Sequence, residues 1–232
     1  DPTGGLEQTV EAIDGSVDVW GITDDASGAR WALPTKSKTT ASLVRTLQRF
    51  QAKSRVPIQQ IFVDGALAKG DIATWAADND VDIACSPPNE PRSNGRSEAT
   101  VNILKDSARV LRQTSGAGIP FHFLAMQWAA MNNNFVSTST DPSGQHRAPV
   151  DIWPDLPYRH RDLRHDLPFG CRAWRHEGKD YQNRPHWQRR ARPCVFVGWS
   201  LDTPSYLLYD IDGHHLFEGT HVTFDETNFP LM

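Results

Sequence analysis

Three carboxylates stand where predicted elements begin or end. Asp1 is at the chain start, Asp64 closes the apolar run IQQIFVD, and Glu98 opens a long amphipathic stretch. Phosphodiester chemistry with two Mg²⁺ ions about 3.5–4 Å apart needs carboxylates clustered from different elements. Mg²⁺ takes hard oxygen ligands and keeps several waters, so two or three carboxylates suffice. Each acid also has an ordinary explanation. Glu98 in a first helical turn is favoured by the helix dipole and the unpaired N–H groups there. Asp64 precedes Gly65 in a common turn dipeptide, and Asp24 and Asp25 in TDDASG suit a turn that satisfies its own backbone. Glu98 is nevertheless in line with Val101, Leu104, Ala108 and Leu111, the stripe that would bury the helix. An inward carboxylate is costly unless something positive meets it.

The elements that would position these acids follow from periodicity. VDVWGIT over 17–23 reads as a strand, DDASG as a turn and 29–34 as the hairpin partner. Leu43, Leu47 and Phe50 recur at helical spacing over 39–53. Residues 58–64 read as a buried strand, 69–79 as a helix and 81–85 as a further strand. The proline-broken loop SPPNEPRSNGRS then leads into the helix of Glu98, and a second helix runs from 120 to about 133. This order predicts an α/β layer architecture. Residues 136–165, rich in Pro, Asp and Ser, read as a linker between a first domain over 1–135 and a second over 166–232. The second domain holds CVFVGWS, SYLLYDIDGHHLFEG and HVTFDE, short strands with a DIDG hairpin turn, which predict a small β-barrel or meander.

Composition supports a folded chain. Its 232 residues are 38% hydrophobic and 22% charged, with eight Trp and ten Phe to build a core. No apolar run approaches the ~18 residues needed to cross a bilayer. The first residues carry no basic-then-apolar leader, and Cys85, Cys171 and Cys194 are too scattered for a disulfide framework. An intracellular setting is expected. The formal net charge of −4 is unevenly spread. Residues 159–192 hold ten Lys/Arg against four Asp/Glu, with His160, His165, His176 and His186 interleaved. Arg159, Arg161, Arg164, Arg189, Arg190 and Arg192 could therefore neutralise DNA phosphates, or form a solvated basic surface. Trp153, Trp174, Trp187 and Trp199 suit packing better than base stacking, and Cys171 and Cys194 suit burial.

With these residues in view, the chain resembles the integrase region of a Copia-type long-terminal-repeat retrotransposon Pol polyprotein (Pseudoviridae). Ser86, Pro88, Pro91, Asn94, Gly95 and Glu98 match the family pattern S-x-P-x-x-P-x-x-N-G-x-x-E, and ILKDSARVLRQ follows as the expected helix. GITDDASGARWALPTKSK and IFVDG resemble strands of the family's ribonuclease-H-like core, and DPTGG resembles its D-x-x-G-P element. DLPFGCRAW, RPCVFVGWSLDTPSYLLYD and HVTFDE resemble the SH3-like barrel that follows.

The resemblance implies a ribonuclease-H-like mixed sheet with flanking helices, its N-terminal strand truncated, then an SH3-like β-barrel. It implies Asp1, Asp64 and Glu98 as catalytic ligands for Mg²⁺ or Mn²⁺, with Asn94 and Gly95 shaping the turn that delivers an inward Glu98. Arg92, Asn94 and Arg96 would contact DNA. The implied work is 3′-end processing and strand transfer of element DNA into target DNA. The implied partners are both DNAs, further copies of the chain and neighbouring polyprotein segments, in the nucleus and in cytoplasmic virus-like particles, with no membrane. Two positions depart from the pattern: the family's D-N-G reads Asp64–Gly65–Ala66, and the spacing from Asp64 to Glu98 is short. These keep a second reading open, a decayed copy that binds DNA or its own kind. A nuclease or ribonuclease H of the same superfamily fits the downstream strand series less well.

Overall fold

The computed structural model describes residues 12–85, 91–136, 139–140, 145–160, 163–164, 166–176 and 191–232, with backbone alone at 91–97 and 139–140. The expectations for Asp1, Arg161, Arg189, Arg190 and Trp187 lie outside these residues, as do those for the side chains of Arg92, Asn94 and Arg96.

β1 (Asp18–Thr23) and β2 (Arg30–Thr35) form the expected hairpin, with Trp20 opposite Leu33 and Ile22 opposite Trp31. Asp24 closes the turn, its carboxylate accepting from the Ser27 N–H at 2.7 Å and the Ser27 hydroxyl at 2.6 Å. α1 (Thr40–Lys53) starts where the Thr39 hydroxyl accepts from the Ser42 N–H, and it buries Leu43, Leu47 and Phe50. β3 (Gln60–Val63), α2 (Asp71–Asp78) and β4 (Asp82–Cys85) make a parallel unit in which Val63 lies opposite Cys85. The α/β class is as expected. The antiparallel and parallel pairs stand as two separate two-stranded sheets among the described residues.

α3 (Pro91–Ser115) corrects one expectation. The helix begins at Pro91, a residue well suited to a first helical turn, and continues through Asn94 and Gly95. Those two residues are therefore helical rather than a turn. Glu98 sits about two turns inside the helix, away from the unpaired N–H groups of its start. Arg92 and Arg96 lie on the same helical backbone.

After a short 3₁₀ turn at Ile119–Phe121 comes α4 (His122–Asn133), buried without interruption from Leu124 through Met131. A helix apolar all round has to be covered on all sides. β2 packs on one side of α4 and a strand of the second domain, Ala191–Trp199, on another. At its end the Asn134 amide pairs with the backbone of Arg30 in both directions, at 2.8 Å each way.

Described residues of the expected linker pack against the first domain. The linker holds β5 (Ser139–Thr140), β6 (His146–Arg147) and α5 (Pro149–Ile152), and beyond them buried Leu156, Tyr158 and Leu163. The Trp31 indole N–H donates to the Pro157 carbonyl at 3.0 Å, and the rings of Trp31 and Trp153 meet edge-on at 5.8 Å.

β7 (Arg172–His176), β8 (Ala191–Trp199), β9 (Tyr206–Asp210), β10 (His215–Gly219) and β11 (Val222–Asp225) pair antiparallel in the order β10-β9-β8-β7-β11. The expected barrel is thus an open five-stranded sheet by its pairing. The sheet bends at β8, where the register shifts between Phe196 and Gly198. Gly198 has φ +132°, a conformation that side-chain-bearing residues rarely adopt. Trp128 of α4 sits edge-on to Phe196 at 4.9 Å and to Trp199 at 5.3 Å, and the Gln127 amide donates to the Trp199 carbonyl at 2.9 Å. One large core therefore runs from the hairpin through α4 into the second domain. A smaller core, formed by Leu43, Leu47, Ile72, Trp75, Ala76 and Val81, joins α1, α2 and the β3–β4 pair.

Candidate active site

Asp64 follows β3 directly. Its carbonyl accepts from the N–H groups of Leu67 at 2.8 Å and Ala68 at 3.2 Å, so the backbone leaves the strand in a tight turn. Its side chain is exposed. Strand residues alternate faces, and Asp64 keeps the parity of Phe62, which is 65% exposed, rather than that of half-buried Ile61 and Val63.

Glu98 is placed by the packing of α3 on the hairpin. The Thr23 hydroxyl at the end of β1 hydrogen-bonds the buried Thr100 hydroxyl at 3.3 Å, and Val101 packs beside Gly21. Leu104 and Ala108 then enter the large core. Two residues before Thr100, Glu98 is exposed, so the expectation of an inward carboxylate is corrected: the burying stripe starts at Thr100. Asp64 thus belongs to the small core's unit and Glu98 to the large core's. Among the described residues no group of three His, Cys, Asp or Glu could hold a metal ion. Asp64 and Glu98 supply exposed oxygen donors of the kind Mg²⁺ or Mn²⁺ takes, and the third expected ligand, Asp1, lies outside the described residues.

The basic residues divide in the same way. Arg159 donates to the Pro154 carbonyl at 2.8 Å and lies over the Phe135 ring. Arg164 is held by Asp166 at 3.0 Å and Glu226 at 2.7 Å, and these hydrogen bonds push its pKa further up. Arg192 pairs with the nearly fully buried Asp210 and lies over the Phe217 ring. All three brace the protein's own structure. Burial raises the Asp210 pKa, but the Gly213 N–H, Arg192 and the Asp212 N–H outweigh it and hold the carboxyl below its ordinary value.

Cys171 and Cys194 are buried as expected, and burial pushes their thiols up to about 12 and about 11. Cys85 is exposed. Trp199 is a core residue, while Trp153 and Trp174 are half-buried. Periodicity alone did not indicate a cleft of about 420 Å³ between α1 and the β8–β9 loop, into which Arg45 and Arg49 face. Its sequence signal is an α1 with three cations and no acid.

Residues 171–232 match the retroviral polymerase SH3-like domain. The chain is 25% identical over 207 residues to the retrovirus-related Pol polyprotein from transposon RE2 of Arabidopsis thaliana, covering 87% of the chain and 13% of that polyprotein. It is 26% identical over 162 residues to the RE1 polyprotein of the same plant, covering 69% of the chain and 10% of the relative. It is also 25% identical over 151 residues to the Pro-Pol polyprotein of feline foamy virus, 64% of the chain and 13% of the relative. The chain thus spans about an eighth or less of these relatives' length. Among solved structures it is similar to the catalytic core domain of BIV integrase, with a TM-score of 0.44 and 18% identity over 59% of this chain and 85% of that one. No helix among the described residues is long and apolar enough to cross a membrane.

Proposed function

We propose that this chain is the integrase region of a Copia-type retrotransposon Pol polyprotein, which cuts element DNA at its 3′ ends and joins them to target DNA. The observation that carries the proposal is a match to the retroviral polymerase SH3-like domain downstream of an α/β unit with Asp64 at a strand end and Glu98 on the next long helix. Pol similarity over 87% of the chain supports the same order.

In this reading Asp1, Asp64 and Glu98 hold Mg²⁺ or Mn²⁺, which when bound makes an attacking oxygen more acidic and offsets charge on the leaving oxygen. The chain's own part is positional. The turn after β3 presents the Asp64 carboxylate, and the Thr23–Thr100 bond sets the height of α3 on the hairpin, hence that of Glu98. Arg92, Asn94, Arg96, Arg161, Arg189 and Arg190 remain proposed DNA contacts, outside the described side chains. Arg159, Arg164 and Arg192 keep a structural role and contribute only field. Element-end and target DNA, further copies of the chain and the adjoining polyprotein are its proposed partners. Its proposed places of work are the nucleus and cytoplasmic virus-like particles.

A second reading is specifically favoured by the departures beside Asp64, the missing Asn and the short spacing to Glu98: a non-catalytic remnant that binds DNA or itself. Transfer of a labelled element-end oligonucleotide into plasmid DNA separates the two. The integrase reading predicts Mg²⁺- or Mn²⁺-dependent joining that drops at least 100-fold with Glu98→Gln and with Asp64→Asn. DNA binding without joining, in the chain alone and within a longer Pol segment, supports the remnant.

A further inference from the structure

α3 presents two stripes. Thr100, Leu104, Ala108 and Ser115 are buried, with Leu111 packed beside them on the large core. A second stripe, Ala99, Ile103, Ser107, Val110 and Thr114, runs at spacings of four, four, three and four residues. That repeat keeps side chains in line along a helix that meets another helix. Ile103 is 42% and Val110 53% exposed, and Ala99 and Thr114 are exposed as well. Two large apolar side chains seven residues apart on one helix face form a continuous patch, unlike scattered single exposures.

Nothing on this second stripe resists another helix. The Thr114 hydroxyl donates back to the carbonyls of Val110 at 3.0 Å and Leu111 at 3.2 Å, which leaves its methyl group for contact. Asp106 and Arg109, on the flank, pair with each other at 3.0 Å, so the flank carries little net charge. Lys105 stands about 160° around the helix from Ile103. The stripe is also palindromic by size: small, β-branched, small, β-branched, small. Its midpoint falls between Asp106 and Ser107. A surface that reads the same in both directions can pair with itself about a twofold axis. In an antiparallel pair centred there, Ile103 lies level with Val110 of the second copy and Ala99 with Thr114 of the second copy. The Ser107 hydroxyl lies level with the Asp106 carboxylate of the second copy, an acceptor for it. An unrelated partner would not require this symmetry.

We propose that this stripe is the surface through which two copies of the chain meet, α3 against α3 in antiparallel register about a twofold axis. The inference gives a surface to the further copies proposed above and rests on that reading for its purpose. Glu98 is turned by about 100° from Ala99 around the helix, so pairing leaves it open and sets the two carboxylates about 25 Å apart along the pair. The stripe spans about 22 Å of one helix, which buries less than the ~800 Å² per partner of a standard interface. The dimer is therefore expected to be reversible.

The test is sedimentation equilibrium of the full chain across a wide range of protein concentration, where a monomer–dimer equilibrium is expected. Ile103→Lys and Val110→Glu should each weaken it by about 10-fold or more, because each substitution is met twice across the axis. Combined in one chain, they set opposite charges level with each other between copies, and the double variant should regain much of the loss. A parallel pair would bring like charges together and give no rescue. Phe62→Ser, at an exposed apolar position on β3, is the control and should leave the equilibrium unchanged. All these side chains are exposed, and thermal melting confirms the fold of each variant. A parent chain that stays monomeric at every concentration overturns the proposal. So does a dimer that Ile103→Lys leaves intact, or a folded double variant with no rescue. Protection of the stripe from hydrogen exchange only within a longer Pol segment would overturn it too, assigning the stripe to the adjoining polyprotein. Association is read without DNA or metal, so failed strand transfer counts against the proposed function alone. A monomer that still transfers strands counts against this contact alone.

Discussion

The two candidate acids are carried by regions packed in very different ways. Glu98 rides on α3, whose inner face joins a core that continues through α4 into the five-stranded sheet. Asp64 follows β3, in a unit whose core is six buried residues and whose strand leaves Phe62 largely in solvent. Local opening follows the density of buried contacts, so the two carboxylates should differ in rigidity. A metal site shared between them would join the regions, and binding would order the weaker one.

The largest expected effect lies in the strong region. Trp128→Ala removes the ring that meets both Phe196 and Trp199 and should cost about 3–5 kcal/mol. Because α4 is common to both domains, chemical denaturation should still show a single transition, displaced as a whole. Two separated transitions would show that the domains fold independently.

Next is the Arg192–Asp210 pair at the β9–β10 turn. Asp210→Ala strands one side of Arg192 and removes an acceptor from the turn, for about 1–3 kcal/mol. The Asp210 pKa is lowered in the fold, so its stabilisation is present above the ordinary carboxyl value of about 3.9 and is lost as pH falls below it toward the folded value. Melting temperature against pH should therefore fall less steeply below pH 4 in the variant than in the parent. Parallel curves would remove Asp210 from the account.

A smaller effect is expected in the weak region. Ile72, fully buried in α2, loses one methyl group in Ile72→Val, for roughly 0.5–1.5 kcal/mol. Hydrogen exchange should speed up in β3 and β4 and stay unchanged in β8. Uniform acceleration would mean that the two cores open together. The smallest effect belongs to Phe62→Ser, an exposed side chain, with a change in stability within about 0.5 kcal/mol. A large loss there would show that Phe62 is covered in solution.

Much of this was legible in the sequence. The VDVWGIT hairpin, the helix of Leu43, Leu47 and Phe50, the strand ahead of Asp64 and the DIDG turn all form within a residue or two of expectation, because each is set by local periodicity and turn chemistry. What escaped depends on contacts distant in the chain. α4 is buried on every side, so no stripe shows which partner it meets. The 136–165 segment is rich in turn formers, yet its Trp153, Pro157 and Tyr158 pack because Trp31 and Phe50 need cover. Asn94 and Gly95 are common turn residues that instead extend α3. For the site, element ends were legible, but exposure was not. A stripe through Glu98 continues to Leu104 and Ala108 whether burial begins at residue 98 or at residue 100. The basic segment gave charge without pairing, and only the fold shows Arg164 and Arg192 already joined to acids.

The most direct measurement is calorimetric titration of Mn²⁺ into the chain, into Asp64→Asn, into Glu98→Gln and into the double variant. If the two acids share one site, each single substitution removes the same binding event, and the double variant loses no more than either alone. Independent, additive losses, or Mn²⁺ binding untouched by both substitutions, would contradict a metal site spanning the two regions.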